Sequence, residues 1–173
     1  MTMLRILQYP DPRLKTKASP VANVHDARIQ RIIDDMFETL YNTAHCAGLA
    51  ATQLDIKNPP RITVIDLSST KNEPLCLINP HIVERQGIAY EPEGCMSVYP
   101  DILKNAVKRA ERVTAKALDR AGNPIEIDTG EFLAKCIQHE VDHLNGILYI
   151  DHLSPLKRNI LDKKVTKLRS NPS

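Results

Sequence analysis

Tryptophan is absent from this chain, and aromatic residues supply only 4% of its 173 positions. Its interior must therefore be filled mainly by leucine, isoleucine, valine and alanine. Charge of one sign is also lacking: a formal net charge of +2 excludes nucleic-acid binding driven by bulk charge, and no DNA partner is expected. No apolar run is long enough to cross a bilayer, so no membrane association is expected. The opening Met1-Thr2-Met3-Leu4-Arg5-Ile6-Leu7-Gln8-Tyr9-Pro10 lacks a basic stretch leading into a sustained apolar run; no secretory signal is read, and a cytoplasmic location is expected. There the four cysteines, Cys46, Cys76, Cys95 and Cys136, stay reduced, which makes any unusual one a candidate ligand or nucleophile. What the chain does have is 42% hydrophobic residues, enough to build one domain over residues 1–173 without disulfide help.

In chain order, the two prolines of Pro10-Asp11-Pro12-Arg13-Leu14-Lys15 predict an extended or turning surface lead-in. From Asp26 to about Thr43, the apolar residues Ile29, Ile32, Ile33, Met36, Phe37, Leu40 and Tyr41 recur at helical spacing and predict an amphipathic helix. Strands are expected over Arg61–Leu67 and Leu75–Asn79, the second ended by Pro80, with His81–Gln86 as a further strand before Gly87. Val113, Ala115 and Ala117 alternate with polar residues. After Ala121-Gly122-Asn123-Pro124 the alternation resumes in Ile125–Asp128, which predicts a hairpin. Helix, hairpin-connected strands, then helix favour an α+β fold with mainly antiparallel sheet.

Chemistry concentrates in Gln138-His139-Glu140-Val141-Asp142-His143. Two histidines four residues apart share one helical face, so both imidazoles can reach a single metal ion, with the Glu140 carboxylate beside a bound water. On a helical wheel Phe132, Cys136, His139, Glu140 and His143 occupy one sector, while Glu131, Lys135, Gln138 and Asp142 form a polar side. A carboxylate on the buried face costs several kcal/mol unless a cation accompanies it, by about the usual penalty for an unpaired buried charge. A lone buried histidine is ordinarily a satisfied core residue; it is the accompanying glutamate that argues for metal. A third ligand is required. His152 and Asp151 are near but follow the Gly146 break closely, whereas Cys95, in Glu93-Gly94-Cys95-Met96-Ser97, lies in a loop with no core pattern and is preferred. Two imidazoles and one thiolate suit Fe²⁺ or Zn²⁺ rather than Mg²⁺ or Ca²⁺. The small residues of Gly48-Leu49-Ala50-Ala51-Thr52-Gln53 let backbone approach a neighbour closely, and Gln53 adds an amide donor.

These three segments, Gly48–Gln53, Glu93–Ser97 and Gln138–His143, resemble in order and spacing the signature motifs of the peptide deformylases. The similarity extends from Pro10 to Leu156. The resemblance implies a hydrolase that releases formate from the N-terminal formyl-methionine of new polypeptides. It implies one divalent ion, typically Fe²⁺ and replaceable by Zn²⁺, Ni²⁺ or Co²⁺, held by Cys95, His139 and His143. It implies Glu140 as general acid/base, the Gln53 amide and Met96 backbone N–H as oxyanion donors, and Gly48, Leu49 and Gly94 along the substrate. Two departures stand out. Cys46 replaces a usual glycine, where a side chain is expected to alter the loop or crowd the groove. The loop Val98–Lys104 is slightly longer than in many relatives and puts Lys104 where an arginine often lines the groove. The tail, Ser154 to Arg169, carries a Ser cap, a first-position Pro and an expected packing face of Leu156, Ile160, Leu161, Val165 and Leu168. Its Lys157, Arg158, Lys163, Lys164, Lys167 and Arg169 suit rRNA phosphates, so contact with the ribosome is expected there.

Overall fold

Asp26 starts the first helix, its carboxylate accepting a hydrogen bond from the Arg28 backbone N–H at 2.8 Å. In the computed structural model, which describes residues 1–171, that helix is α1, Ala27–Tyr41. Pro172 and Ser173, at the end of the expected 1–173 unit, lie outside the described residues. The strands are β1 (Gly48–Ala50), β2 (Ile62–Ile65), β3 (Leu75–Gln86), β4 (Ala89–Glu93), β5 (Asn105–Arg109), β6 (Arg112–Leu118) and β7 (Pro124–Gly130); helices α2 (Glu131–Leu144) and α3 (Pro155–Ser170) follow. The architecture is α+β, with a five-stranded antiparallel sheet ordered β1-β2-β3-β6-β7 and a separate β4-β5 ribbon.

Period-two alternation sends the central strands to two different helices. Ile62 and Val64 of β2, with Cys76 and Ile78 of β3, pack with Ile29, Ile33, Met36 and Leu40 of α1. Their alternates Ile65 and Leu77 join Val113 and Ala115 of β6 against Ala134, Ile137 and Val141 of α2. A third apolar cluster unites Leu7, Leu14, Cys95, Val98, Leu103 and Val107 with Leu148–Ile150 and with Leu161 and Val165 of α3. Helix α2 therefore lies between the large sheet and the ribbon-side cluster. Among the described residues no helix is long and apolar enough to cross a membrane.

Four expectations are corrected. First, Pro80 does not end a strand: β3 runs through it, because Asn79 adopts φ 53° and the register shifts between Ile78 and His81. The bulge sits where Pro80 has no N–H to offer, and the Asn79 amide ties the kink to the Val21 backbone at 2.8 and 3.0 Å. Second, Pro10–Lys15 is not only a surface lead-in: Pro12–Lys15 forms a 3₁₀ turn that buries Leu14, and the residues just before it are tied into the core as well. Leu7 and Leu14 are buried, the Leu7 N–H donates to the Gln53 carbonyl and the Tyr9 N–H to the Ser97 carbonyl, each at 2.7 Å. Third, the polar side of α2 is only partly open to water: Glu131 is exposed, but Lys135 and Asp142, the latter expected to face out, are half-buried. Gln138 is buried and brackets Ala110, accepting its N–H at 2.9 Å and donating to its carbonyl at 3.0 Å. Fourth, α3 buries only Leu161 and Val165; Leu156 and Ile160 are exposed, since a helix laid on the surface covers one i, i+4 line rather than a broad stripe.

Candidate metal centre

Two turns of α2 place His139 and His143 one above the other, and the loop after β4 brings Cys95 to them. Their ligand atoms all lie within 4.8 Å of one another, a grouping found once among the described residues. His143 Nε2 is 3.1 Å from His139 Nε2 and 3.3 Å from Cys95 Sγ. Burial, and then the neighbouring His139, hold His143 well below the ordinary histidine range, so it is neutral and offers a lone pair. Around the sulfur, the Ser97 N–H points in at 3.4 Å and the Gln53 amide nitrogen at 3.7 Å.

Glu140 faces the same point. It is 4% exposed, its Oε2 has no hydrogen-bond partner, and burial pushes its carboxyl up to about 7. Such a group is tolerable only with a proton or a nearby cation. The donor set and the orphaned carboxylate together fit one divalent ion of intermediate softness. Gly48 leaves room here, since a Cβ on it would stand 3.3 Å from Glu140 Oε1 and equally close to Ile65 Cγ1, contacts tight enough that these neighbours would have to give way. Gly146 ends α2 at φ +77°, where a Cβ would meet the Lys15 carbonyl oxygen at 2.4 Å.

The centre opens into a cavity of about 600 Å³ whose lining includes Gly48, Gln53, Gly94, Cys95, Met96, Lys104, Phe132, Cys136, His139 and Glu140. Every site residue singled out from sequence is thus at or beside the cavity except two. Leu49 is fully buried in the α1 cluster, so only its backbone on outer strand β1 remains available. His143 sits behind the opening as the deepest donor. Cys46 does not crowd the groove: it packs on the α1 cluster, and its thiol points to the Gly48 carbonyl at 3.5 Å. The left-handed residue of that loop is His45, at φ 57°.

Sequence reasoning missed the support behind His139. Glu93 Oε1 accepts from His139 Nδ1 at 2.9 Å, and Arg109 donates to both Glu93 oxygens at 2.8 and 2.9 Å and to Asp142 at 2.7 Å. Burial would raise the Glu93 carboxyl, but the hydrogen bonds from Arg109 and His139 prevail and hold it at about 2. An ionised Glu93 accepts only, so its bond fixes a proton on His139 Nδ1. Burial works against charge on this ring, but Cys95 and Glu93 beside it hold the imidazole well above the ordinary histidine range, so its Nε2 is freed for a ligand bond when a cation takes the place of the proton. One signal was present: alternation along β5 puts Arg109 on the buried side with Val107. Ser97, fully buried, also escaped notice; its hydroxyl accepts from the Gln53 amide at 3.1 Å.

Thiol, two imidazoles and an unpartnered carboxylate around one cavity are the equipment of a metal-dependent hydrolase. Comparison with known proteins narrows the class. The model of the family described as polypeptide deformylase matches residues 3–159. "Peptide deformylase 1" of Coxiella burnetii is 55% identical over 167 residues, covering 96% of this chain and 97% of the relative. The crystal structure of a peptide deformylase from Legionella pneumophila gives a TM-score of 0.88 at 42% identity, covering 99% of this chain and 100% of that one. The Ehrlichia chaffeensis peptide deformylase in complex with actinonin gives 0.87 at 34% identity, with both chains covered in full. The chain belongs to the polypeptide deformylase family, metal-dependent enzymes that remove N-terminal formyl groups from nascent polypeptides.

Proposed function

We propose that this chain, as one catalytic unit over residues 1–173, deformylates N-formylmethionyl nascent peptides with Cys95, His139 and His143 holding one divalent ion. The observation that carries the reading is Glu140: a buried carboxyl with an unpartnered oxygen, set beside the three donors at the floor of an open cavity. When bound, the ion supplies Lewis-acid polarisation and lowers the pKa of water at the site towards about 7. Glu140 accepts a proton at Oε2 as water adds to the formyl carbon, then returns it to the departing amine as the C–N bond breaks. Formate and a free N-terminus result.

Negative charge growing on the formyl oxygen needs donors already in place. Gln53 is preset for this, because its Oε1 is fixed by the Ala50 N–H at 2.9 Å and its nitrogen is thereby turned towards Cys95. The Met96 backbone N–H is the second donor. Gly48, Gly94 and the backbone of Leu49 flank the substrate, and the absent Cβ of Gly48 keeps the approach to Glu140 open.

A thiolate beside two imidazoles suits Fe²⁺ or Zn²⁺ without choosing between them. Fe²⁺ in the cell, with Zn²⁺, Ni²⁺ or Co²⁺ as substitutes, is the part of the proposal that rests on the resemblance to the family. The work is cytoplasmic, where new polypeptides emerge, and α3 is the surface offered to the ribosome. Lys157, Lys163, Lys164, Lys167 and Arg169 are exposed, whereas Arg158 is committed to Asp151 at 2.7 Å and Tyr9 at 2.9 Å. Anaerobic reconstitution followed by a formate assay on formyl-Met-Ala-Ser tests the activity. Absence of formate with Fe²⁺, Ni²⁺ and Zn²⁺ alike would overturn it. Because α3 contributes to the core, the ribosome contact is tested by reversing Lys163, Lys164 and Lys167 to Glu rather than by truncation; unchanged co-sedimentation would remove that partner.

A further inference from the structure

Two residues near the centre are left without a role by the reaction above. Asp142 lies inside the helix motif but does not line the cavity, and His152 lies in the 3₁₀ turn Tyr149–His152 beyond the end of α2. The structure joins them. His152 Nε2–H donates to Asp142 Oδ2 at 2.8 Å, and the same oxygen accepts from Arg109 Nη1 at 2.7 Å. Arg109 then grips Glu93 with its Nε and Nη2, and Glu93 holds His139 Nδ1. We propose that His152 is a positioning residue for His139, acting through Asp142, Arg109 and Glu93.

The physical case rests on how a guanidinium is held. Arg109 is almost fully buried, with its side chain 4% exposed, and its planar fork has two anchors, Glu93 on one edge and Asp142 on the other. Glu93 cannot rotate while both its oxygens are engaged, and the His139 ring follows Glu93. Asp142, by contrast, is on the side open to water, 20% exposed, and needs a second donor to stay fixed. His152 is that donor. Its own turn is held by Asp151, which accepts from Leu148 N–H at 2.8 Å, from Arg158 at 2.7 Å and from Lys15. The cluster of two carboxylates and one guanidinium also keeps one negative charge in excess behind the ligand, which favours a cation in front of it. Partners behind a metal-bound histidine set its tautomer and tilt, and losing one costs about 10- to 100-fold in metal affinity or activity. His152 stands further back than such a partner, so its effect is expected to be smaller.

The inference rests on His139 being a metal ligand, and the experiment separates the two. Wild type, His152→Ala, His152→Gln and Asp142→Asn are loaded anaerobically with Co²⁺. Metal release into excess chelator and the visible Co²⁺ absorption are recorded, together with kcat and KM for the formylated tripeptide. His152 is 37% exposed, so its replacement leaves the fold intact. His152→Ala is expected to release metal about threefold faster, to shift the Co²⁺ spectrum and to lower kcat at unchanged KM. Asp142→Asn is expected to release it about tenfold faster, at the lower bound for such a partner. His152→Gln retains an N–H donor and is expected to restore wild-type release. Release and spectrum unmoved in His152→Ala would overturn the proposal, as would equal release from His152→Ala and His152→Gln. A wild type that binds no Co²⁺ would overturn the metal reading itself, and this inference with it.

Discussion

Helices α2 and α3 are nearly equal in length, 14 and 16 residues, yet they use charge in opposite ways. In α2, Glu140 and His143 are buried, and the polar flank of Gln138 and Asp142 is engaged by backbone and by Arg109. In α3, two residues are buried and most of the cations face water. Function follows from this contrast. Ionisable groups shift their proton affinities and bind cations where water is excluded, while exposed ones act only through long-range, salt-screened attraction.

The largest effect separating the two helices is expected from Glu140→Gln. Loss of the acid/base group should reduce kcat about 10²- to 10⁴-fold. The thermal midpoint should hold or rise, because an unpartnered buried carboxyl has been removed. A normal rate in the formate assay would assign Glu140 a structural role only. Next in size is the core side of α3: Leu161→Ala is expected to cost about 2–5 kcal/mol, whereas Leu156→Ala, on the exposed side, should stay within about 0.5 kcal/mol. Urea denaturation of the two variants gives the comparison directly. Equal losses would mean that α3 is seated differently from the structure.

Gly48→Ala probes the space around Glu140. A Cβ contact at 3.3 Å is tight, so the carboxylate must shift by a few tenths of an ångström. About a tenfold fall in kcat is expected, less than the roughly 100-fold that a full 1 Å misplacement costs, with stability little changed. Acid pH tests the support behind His139. Glu93 is depressed from the usual 4.5 to about 2, so its stabilisation is complete above 4.5 and is lost as pH falls towards 2. In Glu93→Gln, stability should decline less steeply over that window; an unchanged slope would place the acid-sensitive contact elsewhere. Smallest of all, reversing Lys163, Lys164 and Lys167 should leave tripeptide turnover unaltered, since none of them lines the cavity.

How much of this was legible depended on the range of the interaction. Helix α1 was read almost to its ends, because Asp26 and the apolar stripe are local signals. The β6–β7 hairpin was readable for the same reason. The β4–β5 ribbon was not: Tyr90, Glu91 and Pro92 are exposed and carry no alternation, and the ribbon is specified by pairing across the Cys95 loop. Pro80 misled because a proline breaks a regular strand, and the bulge at Asn79 that admits it is stabilised by Val21, 58 residues away. Polar Gln138 and Asp142 misled similarly, since residue type alone does not tell solvent from a buried partner.

By itself, the sequence determined the two histidines and the glutamate as one unit, because spacing along a helix places side chains on one face whatever surrounds it. It also presented Cys95 as a residue that no core pattern explained. Only the tertiary structure decided that Cys95 meets His143 across 48 residues and that Gln53 turns its nitrogen towards that sulfur. It alone decided that Arg109 joins Glu93 to Asp142 behind His139. Those contacts depend on how sheet, ribbon and α2 pack together, and no local rule of the chain encodes that distance.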